Sequence, residues 1–380
     1  MYNAFSMVNA IGGPQRKEKT EIPLSAMVKK FANGRQMDNG FMRPGRAPGS
    51  RGKQKENGMN GYDRQTGNAC DMNANAGSDV LTAVAATAGL AGLIKFNLHI
   101  LERCNYACRY CFAKFGCRKV LGLDVWKKIV LNCHRYAPDC CFNIAGGEPL
   151  MVSWLGDLIR FCRELGHRVS VITNGALATE KWIRDNVPLL DTFGISLDSF
   201  DENTLKAIGR NTRSGRFLDG KQVAGIMEKV ERANPACGIK VNTVVCSLNC
   251  HELMSGDIRS LPVSRWKIFK MLPFDNGCFS NADLAVTDEA YGRYIERNLG
   301  MSWTGENGNS ISVSLGERCR AVVESNLRGG YLMIDAKGHL VDDTRNTSYT
   351  SVVDCVNEEL SDGIGRLGFD PELYRSRYVA

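Results

Sequence analysis

Three closely spaced cysteines have a pattern that suits metal chemistry. The segment ERCNYACRYCF places Cys104, Cys108 and Cys111 in a C-x3-C-x2-C spacing. Three thiolates from one short loop can hold three irons of a [4Fe–4S] cube and leave the fourth iron open to a small molecule. The alternative is a zinc ion with Cys117 as fourth ligand, but zinc sites favour two C-x2-C pairs, and no second pair follows at that spacing. The triplet therefore predicts an open [4Fe–4S] cluster.

Polar segments downstream of this loop form a second group. Residues 145–149 read AGGEP, where two glycines allow a close backbone approach and Glu148 can accept a hydrogen bond from an ammonium group. Further along the chain, residues 173–175 read TNG, residues 196–199 read SLDS, and Arg210 follows. Such polar groups at the carboxyl ends of strands are typical of β/α active sites. Arg210 can pair with a ligand carboxylate as a planar fork; the alternative is an ordinary surface arginine.

The elements that must position these residues alternate between short apolar strands and amphipathic helices. Six strands are predicted at Leu93–Leu101, Cys141–Ala145, Val169–Thr173, Thr192–Leu197, Ile239–Cys246 and Trp266–Met271. Repeating β-α units favour a parallel sheet, and six of them predict an α/β fold with an open, partial (β/α)6 barrel. The pattern loosens after Asn281, where a hairpin is predicted from Tyr331–Asp335 and His339–Asp342.

Composition divides the chain into regions. Residues 1–78 are rich in Gly, Asn, Lys and Arg and are predicted to be disordered, because they cannot bury enough apolar surface. Residues 79–92 are predicted to be a linker or short helix, residues 93–280 the barrel, and residues 281–380 an extension that completes the pocket. Residues 1–92 hold 12 Lys and Arg against 7 Asp and Glu, most of the net charge of +7. The catalytic part is therefore not expected to bind nucleic acid.

Cysteine content and hydropathy bear on location. The 15 cysteines are odd in number and do not form a bridge framework, which indicates reduced thiols and a reducing compartment. The first 20 residues have no apolar core of a signal peptide, and the apolar run Val80–Ile94 is shorter than the ~20 residues of a spanning helix. We predict a cytoplasmic monomer without stable membrane insertion.

Cations occupy one face of each of two predicted strands. In IKVNTVV, Lys240 and Asn242 share a face with Val244; in RWKIFKML, Arg265 and Lys267 share a face with Phe269. If these cations point inward, an anion must be present to make their burial tolerable, and a polyphosphate would meet that need. The alternative is that each pair begins its strand at an exposed rim.

The motifs C-x3-C-x2-C, GGEP, TNG and S-x-D-S, in this order, resemble the radical S-adenosylmethionine (SAM) superfamily. The resemblance implies that the cluster binds the amino and carboxylate groups of SAM. An electron, from a flavodoxin- or ferredoxin-type donor, then splits SAM into methionine and a 5′-deoxyadenosyl radical that removes a hydrogen from substrate. It assigns the SAM amino group to Gly146, Gly147 and Glu148, and the ribose and carboxylate to Asn174, Ser196 and Arg210.

A longer set of segments resembles the viperin family. These segments are FNLHILERCNYACRYCF, FNIAGGEPL, GISLDSFD, IKVNTVV, RWKIFK and YLMIDAKGHLVDDT. The resemblance implies that a ribonucleoside triphosphate, CTP or another, loses its ribose 4′-hydrogen to the radical and its 3′-hydroxyl as water. The product would be a 3′-deoxy-3′,4′-didehydronucleotide, an antiviral chain terminator. The sequence does not identify the base.

The viperin resemblance also assigns residues. It gives the substrate, chiefly its triphosphate, to Asn97, Asn143, Lys240, Asn242, Arg265 and Lys267. It makes Tyr331 the candidate that relays a proton or hydrogen after dehydration. The chain departs from the animal viperins at Cys141, where they carry a lysine; one phosphate contact is then missing, or Arg345 supplies it. The N-terminal segment also does not match their membrane-binding helix.

Two other functions remain open from the sequence. One is a radical SAM enzyme that acts on a peptide or other small molecule; such enzymes commonly carry additional cysteine clusters, whereas this chain has only the pair Cys246 and Cys250 beside scattered cysteines. The other is a non-catalytic zinc or iron–sulfur binding module. Cleavage of SAM would exclude the module, and stimulation of that cleavage by a nucleotide would exclude the peptide enzyme.

Overall fold

The computed structural model describes residues 94–113, 117, 119–275, 279–303, 310–344, 349–368 and 370–378. The predictions for residues 1–78 and 79–92, and for Arg345, lie outside the described residues.

Six strands build the centre of the sheet and confirm the predicted series, with ends that differ by at most two residues. They are β1 (Lys95–His99), β2 (Cys141–Ala145), β3 (Arg168–Thr173), β4 (Thr192–Ser196), β5 (Gly238–Val245) and β6 (Arg265–Lys270). Each is parallel to the next along the chain. A run of parallel neighbours requires a crossover connection between each pair of strands, which the intervening segments provide.

Helices fill the connections and the C-terminus. Those in the described residues are α1 (Leu123–Tyr136), α2 (Leu155–Glu164), α3 (Glu180–Asn186), α4 (Glu202–Ile208), α5 (Gly220–Ala233), α6 (Ser255–Ser260), α7 (Asp288–Leu299) and α8 (Pro371–Tyr378). Side-chain caps begin several of them: Thr179 caps α3, Asp201 caps α4, and Asp219 forms a capping box with Gln222 on α5. Among the described helices, none has both the length and the apolar composition that a membrane span requires.

The C-terminal region extends the sheet on both sides. Its strands are β7 (Ile311–Leu315), β8 (Cys319–Glu324), β9 (Leu332–Ile334), β10 (His339–Asp342) and β11 (Thr350–Asp354). The sheet order is β11-β10-β9-β1-β2-β3-β4-β5-β6-β8-β7, with β8 parallel to β6 and β9 parallel to β1. The edge strands β7 and β11 do not meet, so the sheet is open, as the partial-barrel prediction requires.

The sequence prediction was incomplete in this region. The hairpin of β9 and β10 is confirmed, but β7, β8 and β11 were missed. These strands have six residues at most, and β7 and β11 are largely half-buried or exposed, so they lack a strong apolar signal. Because β8 pairs with β6 and β9 with β1, the predicted boundary at residue 280 does not divide the sheet.

Strand alternation separates a packed face from a cavity face. On β1, Phe96 and Leu98 are fully buried in the core, whereas Lys95, Asn97 and His99 line a central cavity. Helices α2 and α5 contact β3 and β5 on the packed face. The period of two along each strand therefore decides which side chains belong to the core and which face the cavity.

Candidate active site

A cavity of about 300 Å³ lies on the inner face of the sheet and brings the predicted site residues together. The cysteine loop, which follows the carboxyl end of β1, lies at one end of the cavity. At the other end lie cations from the amino-terminal halves of β5 and β6. The predicted residues in its lining are Asn97, Cys104, Cys108, Cys111, Asn143, Gly146, Gly147, Asn174, Ser196, Arg210, Lys240, Asn242, Arg265, Lys267 and Tyr331.

The glycines of the GGEP segment hold the cysteine loop. Gly147 N donates to Leu101 O at 2.6 Å, and Glu148 N donates to Arg103 O at 2.9 Å. A Cβ atom at Gly147 would lie 2.1 Å from Arg103 O, and Gly146 has a φ of 138° and a Cβ position 2.5 Å from Leu101 O. Only glycine fits at both positions. The predicted reason, a close approach to a ligand, is therefore incomplete: the closest approach is to the cysteine loop itself.

Among the predicted site residues that the structure describes, Glu148 is the one outside the cavity lining. Its side chain is fully buried, and its carboxylate accepts hydrogen bonds from Thr173 Oγ1 at 2.7 Å, Asn174 N at 2.8 Å and Leu150 N at 3.0 Å. A carboxylate with three such donors holds the end of β2 against the end of β3. The structure thus gives Glu148 a positioning role, and its contact with the SAM amino group stays a prediction.

The cysteine sulfurs have donors aimed at them. Cys104 Sγ lies 3.4 Å from Tyr106 N and 3.7 Å from Asn174 Nδ2, and Cys108 Sγ lies 3.7 Å from Arg210 Nη1. Such N–H groups stabilise thiolate charge, and hydrogen bonds to the sulfurs are among the features that tune iron–sulfur clusters. Cys117 Sγ lies instead 3.2 Å from Lys119 O and outside the cavity lining. The three-thiolate donor set therefore fits a [4Fe–4S] cube with one open iron.

Arg210 sits between the cysteine loop and strand β4. Its Nε lies 3.0 Å from Asp198 Oδ2, and one Nη donates to Ser196 O at 2.6 Å. Asp198 is oriented in turn by the Tyr110 hydroxyl and by Val244 N at 2.8 Å. Burial acts to lower the pKa of Arg210, but Asp198 raises it well above its usual value. The guanidinium is therefore a fixed positive charge at the cavity wall, and the surface-arginine alternative is wrong.

Asn174 is held in place by contacts on both ends of its amide. Its Nδ2 donates to Asn105 Oδ1 at 2.7 Å, and its Oδ1 accepts from Ala176 N at 2.9 Å. These contacts tie the TNG turn to the cysteine loop. The amide is thus pre-oriented at the wall where SAM would lie.

The cations of β5 and β6 face the cavity in register. Lys240 is the Cα partner of Arg265, and Asn242 is the partner of Lys267. Lys267 is only 4% exposed. Burial, together with the nearby Lys267 and Lys95, lowers the pKa of Lys240 well below its usual value. These cations do not lie at an exposed rim, so the alternative raised by the sequence is wrong.

Glu324 at the end of β8 was missed by the sequence analysis. Its carboxylate is fully buried, accepts hydrogen bonds from Lys267 Nζ and the Tyr331 hydroxyl, and has Arg377 Nε at 3.8 Å. Burial acts to raise the pKa of Glu324, but Lys267 and Arg377 bring it below its ordinary value. The protein thus supplies one of the anions that the inward cations need. A glutamate directly after the apolar run AVV is the signal that could have found it.

Tyr331 is enclosed by the C-terminal helix. The Arg377 guanidinium lies 4.2 Å from the centre of its ring, and Tyr378 contacts it edge-on at 6.3 Å. Burial and the Glu324 carboxylate raise the pKa of Tyr331 well above its usual value. Its hydroxyl therefore keeps its proton at neutral pH and lies where the cation end and the middle of the cavity meet.

Three asparagines contribute amide groups to the middle of the cavity. Asn143 Nδ2 donates to Asn97 Oδ1 at 2.8 Å, and Asn97 Nδ2 donates to Leu332 O at 3.3 Å. Within the part of the chain that the structure describes, Asn143 Oδ1 and Asn242 Oδ1 are buried and accept no hydrogen bond. Buried acceptors without a donor are unfavourable, so both atoms are available to a ligand hydroxyl.

Two further residues of β1 line the cavity and were not predicted. Burial lowers the pKa of His99 to about 4, so this side chain is neutral at physiological pH. Lys95 begins the strand, and burial, with Lys267 and Arg265 nearby, lowers its pKa to about 8. The alternation in KFNLH places Lys95 and His99 on the same face of the strand as Asn97, and this pattern could have predicted both residues.

The chain is similar to known proteins. A model of the radical SAM superfamily matches residues 98–224. The chain is 32% identical to the S-adenosylmethionine-dependent nucleotide dehydratase of Selenomonas ruminantium, over 75% of this chain and 98% of the relative. It is 30% identical to that of Fibrobacter sp. strain UWH6, over 75% and 88%, and 28% identical to S-adenosylmethionine-dependent nucleotide dehydratase RSAD2 of Oncorhynchus mykiss, over 74% and 78%.

Solved structures show the same fold. Native anSMEcpe with bound AdoMet superposes with a TM-score of 0.51 at 14% identity, over 71% of this chain and 79% of that one. The chain belongs to the radical SAM superfamily and, within it, to the family of S-adenosylmethionine-dependent nucleotide dehydratases. Its cofactors are accordingly a [4Fe–4S] cluster and SAM, as the sequence predicted.

Proposed function

We propose that this enzyme dehydrates a ribonucleoside triphosphate, CTP or another, to its 3′-deoxy-3′,4′-didehydro analogue, and that the hydrogen removed is the ribose 4′-hydrogen. The observation that carries the proposal is the polarity of the cavity, which has a three-cysteine loop at one end and inward cations at the other. A nucleotide has matching polarity, because its phosphates are anionic and its ribose is not. The nucleotide dehydratase names of the relatives support the same substrate class.

The charges at the cation end suit a triphosphate. Four cations line it, Lys95, Lys240, Arg265 and Lys267, and the carboxylate beside them, Glu324, is shared with Tyr331. A triphosphate carries about four negative charges at neutral pH. Several cations are needed to hold it in a buried site, because the desolvation of each phosphate charge must be offset by a close partner.

The distance along the sheet suits a ribose between the two ends. Lys95 and His99 lie at opposite ends of β1, a separation of about 13 Å at ~3.3 Å per residue. With the triphosphate against the cations, the ribose lies beside Asn97, Asn143 and Asn242. The amide oxygens of Asn143 and Asn242 are buried acceptors that ribose hydroxyls can satisfy.

The residues around the ribose have distinct roles in the reaction. When bound, the cluster and SAM supply a carbon radical that takes one hydrogen atom from the substrate. Departure of the 3′-hydroxyl as water needs one proton, and completion of the double bond needs one further electron from the flavodoxin- or ferredoxin-type donor. Tyr331 is the candidate for the proton, because its hydroxyl is protonated at neutral pH; before the 3′-hydroxyl departs, that hydrogen must turn from Glu324, to which it is donated, toward the substrate.

The test is SAM cleavage by anaerobically reconstituted enzyme with each nucleoside triphosphate in turn. We expect one triphosphate to accelerate formation of 5′-deoxyadenosine and to yield a nucleotide product lighter by one water. Substrate deuterated at the ribose 4′ position should transfer deuterium to 5′-deoxyadenosine. The Cys108→Ala protein serves as the control for cluster-dependent cleavage. Acceleration by a peptide and by no nucleotide would contradict the proposal, and deuterium transfer from another ribose position would contradict its regiochemistry.

A further inference from the structure

Positive charge is concentrated around the cysteine loop. Residues 93–380 carry 36 Lys and Arg against 34 Asp and Glu. The described residues of two short segments, 102–119 and 206–221, hold eight Lys and Arg against two Asp and Glu, which leaves 28 against 32 for the rest of residues 93–380. Seven of these eight cations are exposed, and those seven do not line the cavity. Their charge therefore faces solvent and not the proposed substrate.

The backbone brings the second segment against the cysteine loop. Tyr106 forms an antiparallel bridge with Thr212. Thr212 N also donates to Arg216 O at 2.7 Å, which closes a turn directly after the bridge. In an antiparallel pair the residue after Thr212 lies at the level of the residue before Tyr106, so Arg213 lies at the level of Asn105. The turn therefore presents two exposed arginines at the edge of the cysteine loop.

Three arginines of this surface have no negative charge to neutralise them. Among the described residues, the side chains of Arg103, Arg213 and Arg216 form no ion pair, whereas the neighbouring Arg109 is paired with Asp283. Exposed cations without partners contribute little to the stability of the fold, and they favour association with a partner of opposite charge.

The same surface contains an exposed thiol and an exposed apolar side chain. Cys104 is exposed, whereas Cys108 and Cys111 are half-buried, so the cysteine loop is open to solvent on the side of Cys104. Leu177 follows the turn in which Asn174 Nδ2 lies 3.7 Å from Cys104 Sγ, and it is 36% exposed, one of two exposed large hydrophobic residues in the described part of the chain. An apolar residue among arginines is typical of a protein interface.

We propose that Arg103, Leu177, Arg213 and Arg216 form the docking surface for an acidic electron-transfer protein that reduces the cluster. Cleavage of SAM consumes one electron, and an electron passes between two proteins only where their redox centres come close together. The surface beside Cys104 meets this condition, and its unpaired cations complement a negatively charged partner. Electron-transfer interfaces are small, so four residues form a substantial part of one.

The electron transfer balances with a flavodoxin as the donor. The anionic flavin hydroquinone loses one electron to the cluster and becomes the neutral semiquinone, and no proton moves. The proposal depends on the cluster and SAM and not on the nucleotide substrate.

The first test reverses the charge of the surface. Binding of an acidic bacterial flavodoxin to SAM-loaded, anaerobically reconstituted enzyme is measured by calorimetry for wild type and for the double variant Arg213→Glu with Arg216→Glu. The double variant Arg232→Glu with Arg366→Glu is the matched control, because these exposed arginines lie in the last turn of α5 and beside the edge strand β11.

The expected results separate the surface from the control. Wild-type affinity should fall as salt rises from about 20 to 300 mM, since exposed charges are screened. The Arg213→Glu, Arg216→Glu protein should bind at least about tenfold more weakly at low salt, and the control should match wild type. Leu177→Ser should weaken binding at low and high salt alike, because its contact is apolar.

A second measurement follows reduction of the cluster, separately from turnover. Bleaching of the cluster by flavodoxin hydroquinone, recorded by stopped flow, should be slowed in the Arg213→Glu, Arg216→Glu protein. Reduction by the methyl viologen radical, which needs no docking surface, should keep its wild-type rate. Equal slowing with both reductants would trace the defect to the cluster itself and overturn the proposal.

Other outcomes would also overturn it. These are a wild-type enzyme that binds neither flavodoxin nor an acidic ferredoxin, a charge-reversed enzyme that binds as wild type does, and an equal loss in the control. Weaker binding of a nucleoside triphosphate with unchanged flavodoxin binding would assign the arginines to substrate entry instead. Arg213→Gln with Arg216→Gln replaces the charge reversal if that variant loses iron. Failure of the proposed nucleotide function would leave the docking result unchanged, because the flavodoxin measurements contain no nucleotide.

Discussion

The two ends of the cavity satisfy their polar groups in opposite ways. At the cysteine end, Glu148 accepts three hydrogen bonds, Asn174 is bound on both sides of its amide, and Arg210 is paired with Asp198. At the cation end, Lys95 and Lys240 form no ion pair with a carboxylate among the described residues, and Glu324 only partly offsets the burial of Lys240. The cysteine end is therefore organised before any ligand arrives, whereas the cation end is left with excess positive charge that a polyanion completes.

This difference has an energetic consequence. Pre-formed hydrogen bonds contribute to the stability of the protein alone, and they fix the position of the SAM-binding wall at no further loss of entropy on binding. Buried cations without partners destabilise the protein alone and strengthen binding of an anion. Variants that remove a hydrogen bond at the cysteine end should therefore lower the stability of the protein. Variants that remove an unpaired cation at the cation end should raise its stability and weaken substrate binding.

The largest effect is expected at the cysteine loop. Replacing Cys104, Cys108 or Cys111 by Ala leaves a cube with two open irons, so the bound iron and SAM cleavage should both be lost. Cys117→Ala is the control and should retain both, because its sulfur lies outside the cavity lining. Iron analysis and 5′-deoxyadenosine formation measure the outcome. Retention of the cluster in Cys108→Ala with loss in Cys117→Ala would reverse the ligand assignment.

Next in size is a contrast between two lysines of the cation end. Lys267→Ala leaves Glu324 buried without its main partner and should destabilise the protein by about 3–5 kcal/mol. Lys240→Met removes a half-buried cation that forms no ion pair among the described residues and should raise the melting temperature. Both should weaken nucleotide binding roughly 10- to 150-fold. Thermal unfolding and nucleotide titration of both variants test this contrast. A Lys240→Met protein that is less stable than wild type would contradict it.

A smaller effect is expected from pH. Lys95 is protonated below its pKa of about 8, and a bound polyanion raises that pKa further. Nucleotide affinity should therefore hold below pH 8 and fall above it, by up to tenfold per pH unit for this one proton. Lys267, Arg265 and Arg168 add positive charge around Lys95, and Cys141 opposes them. Titrations from pH 7 to 9.5 should show a shallower fall in Lys95→Ser, and identical slopes would refute the assignment.

The smallest effect is expected from removing the N-terminal region. Residues 1–78 contain no predicted core or ligand residue, so deletion should leave the turnover of the proposed reaction within about twofold of the full chain. Steady-state rates of the two proteins, compared at equal iron content, test this. A truncated protein that is inactive or insoluble would show that this segment supports the catalytic part.

Local sequence determined much of the fold and of the cysteine end. The strands β1 to β6, of five to eight residues, follow from short apolar segments, and the spacing of Cys104, Cys108 and Cys111 specifies three ligands of one loop. The period of two along β5 and β6 was enough to place Lys240, Asn242, Arg265 and Lys267 on one face. These are properties of neighbouring residues, so they are visible without knowledge of what packs against them.

Only the tertiary structure decided which groups meet those side chains. Lys267 and Glu324 are 57 residues apart and come together because β8 lies beside β6 in parallel. Arg377 and Tyr378 reach Tyr331 from the last helix, and Lys95 becomes the neighbour of Cys141 through strand register. Alternation along a strand indicates the face on which a side chain lies, but strand order and register determine its neighbours. The charge of the cavity is therefore a property of packing between distant segments, which no local pattern contains.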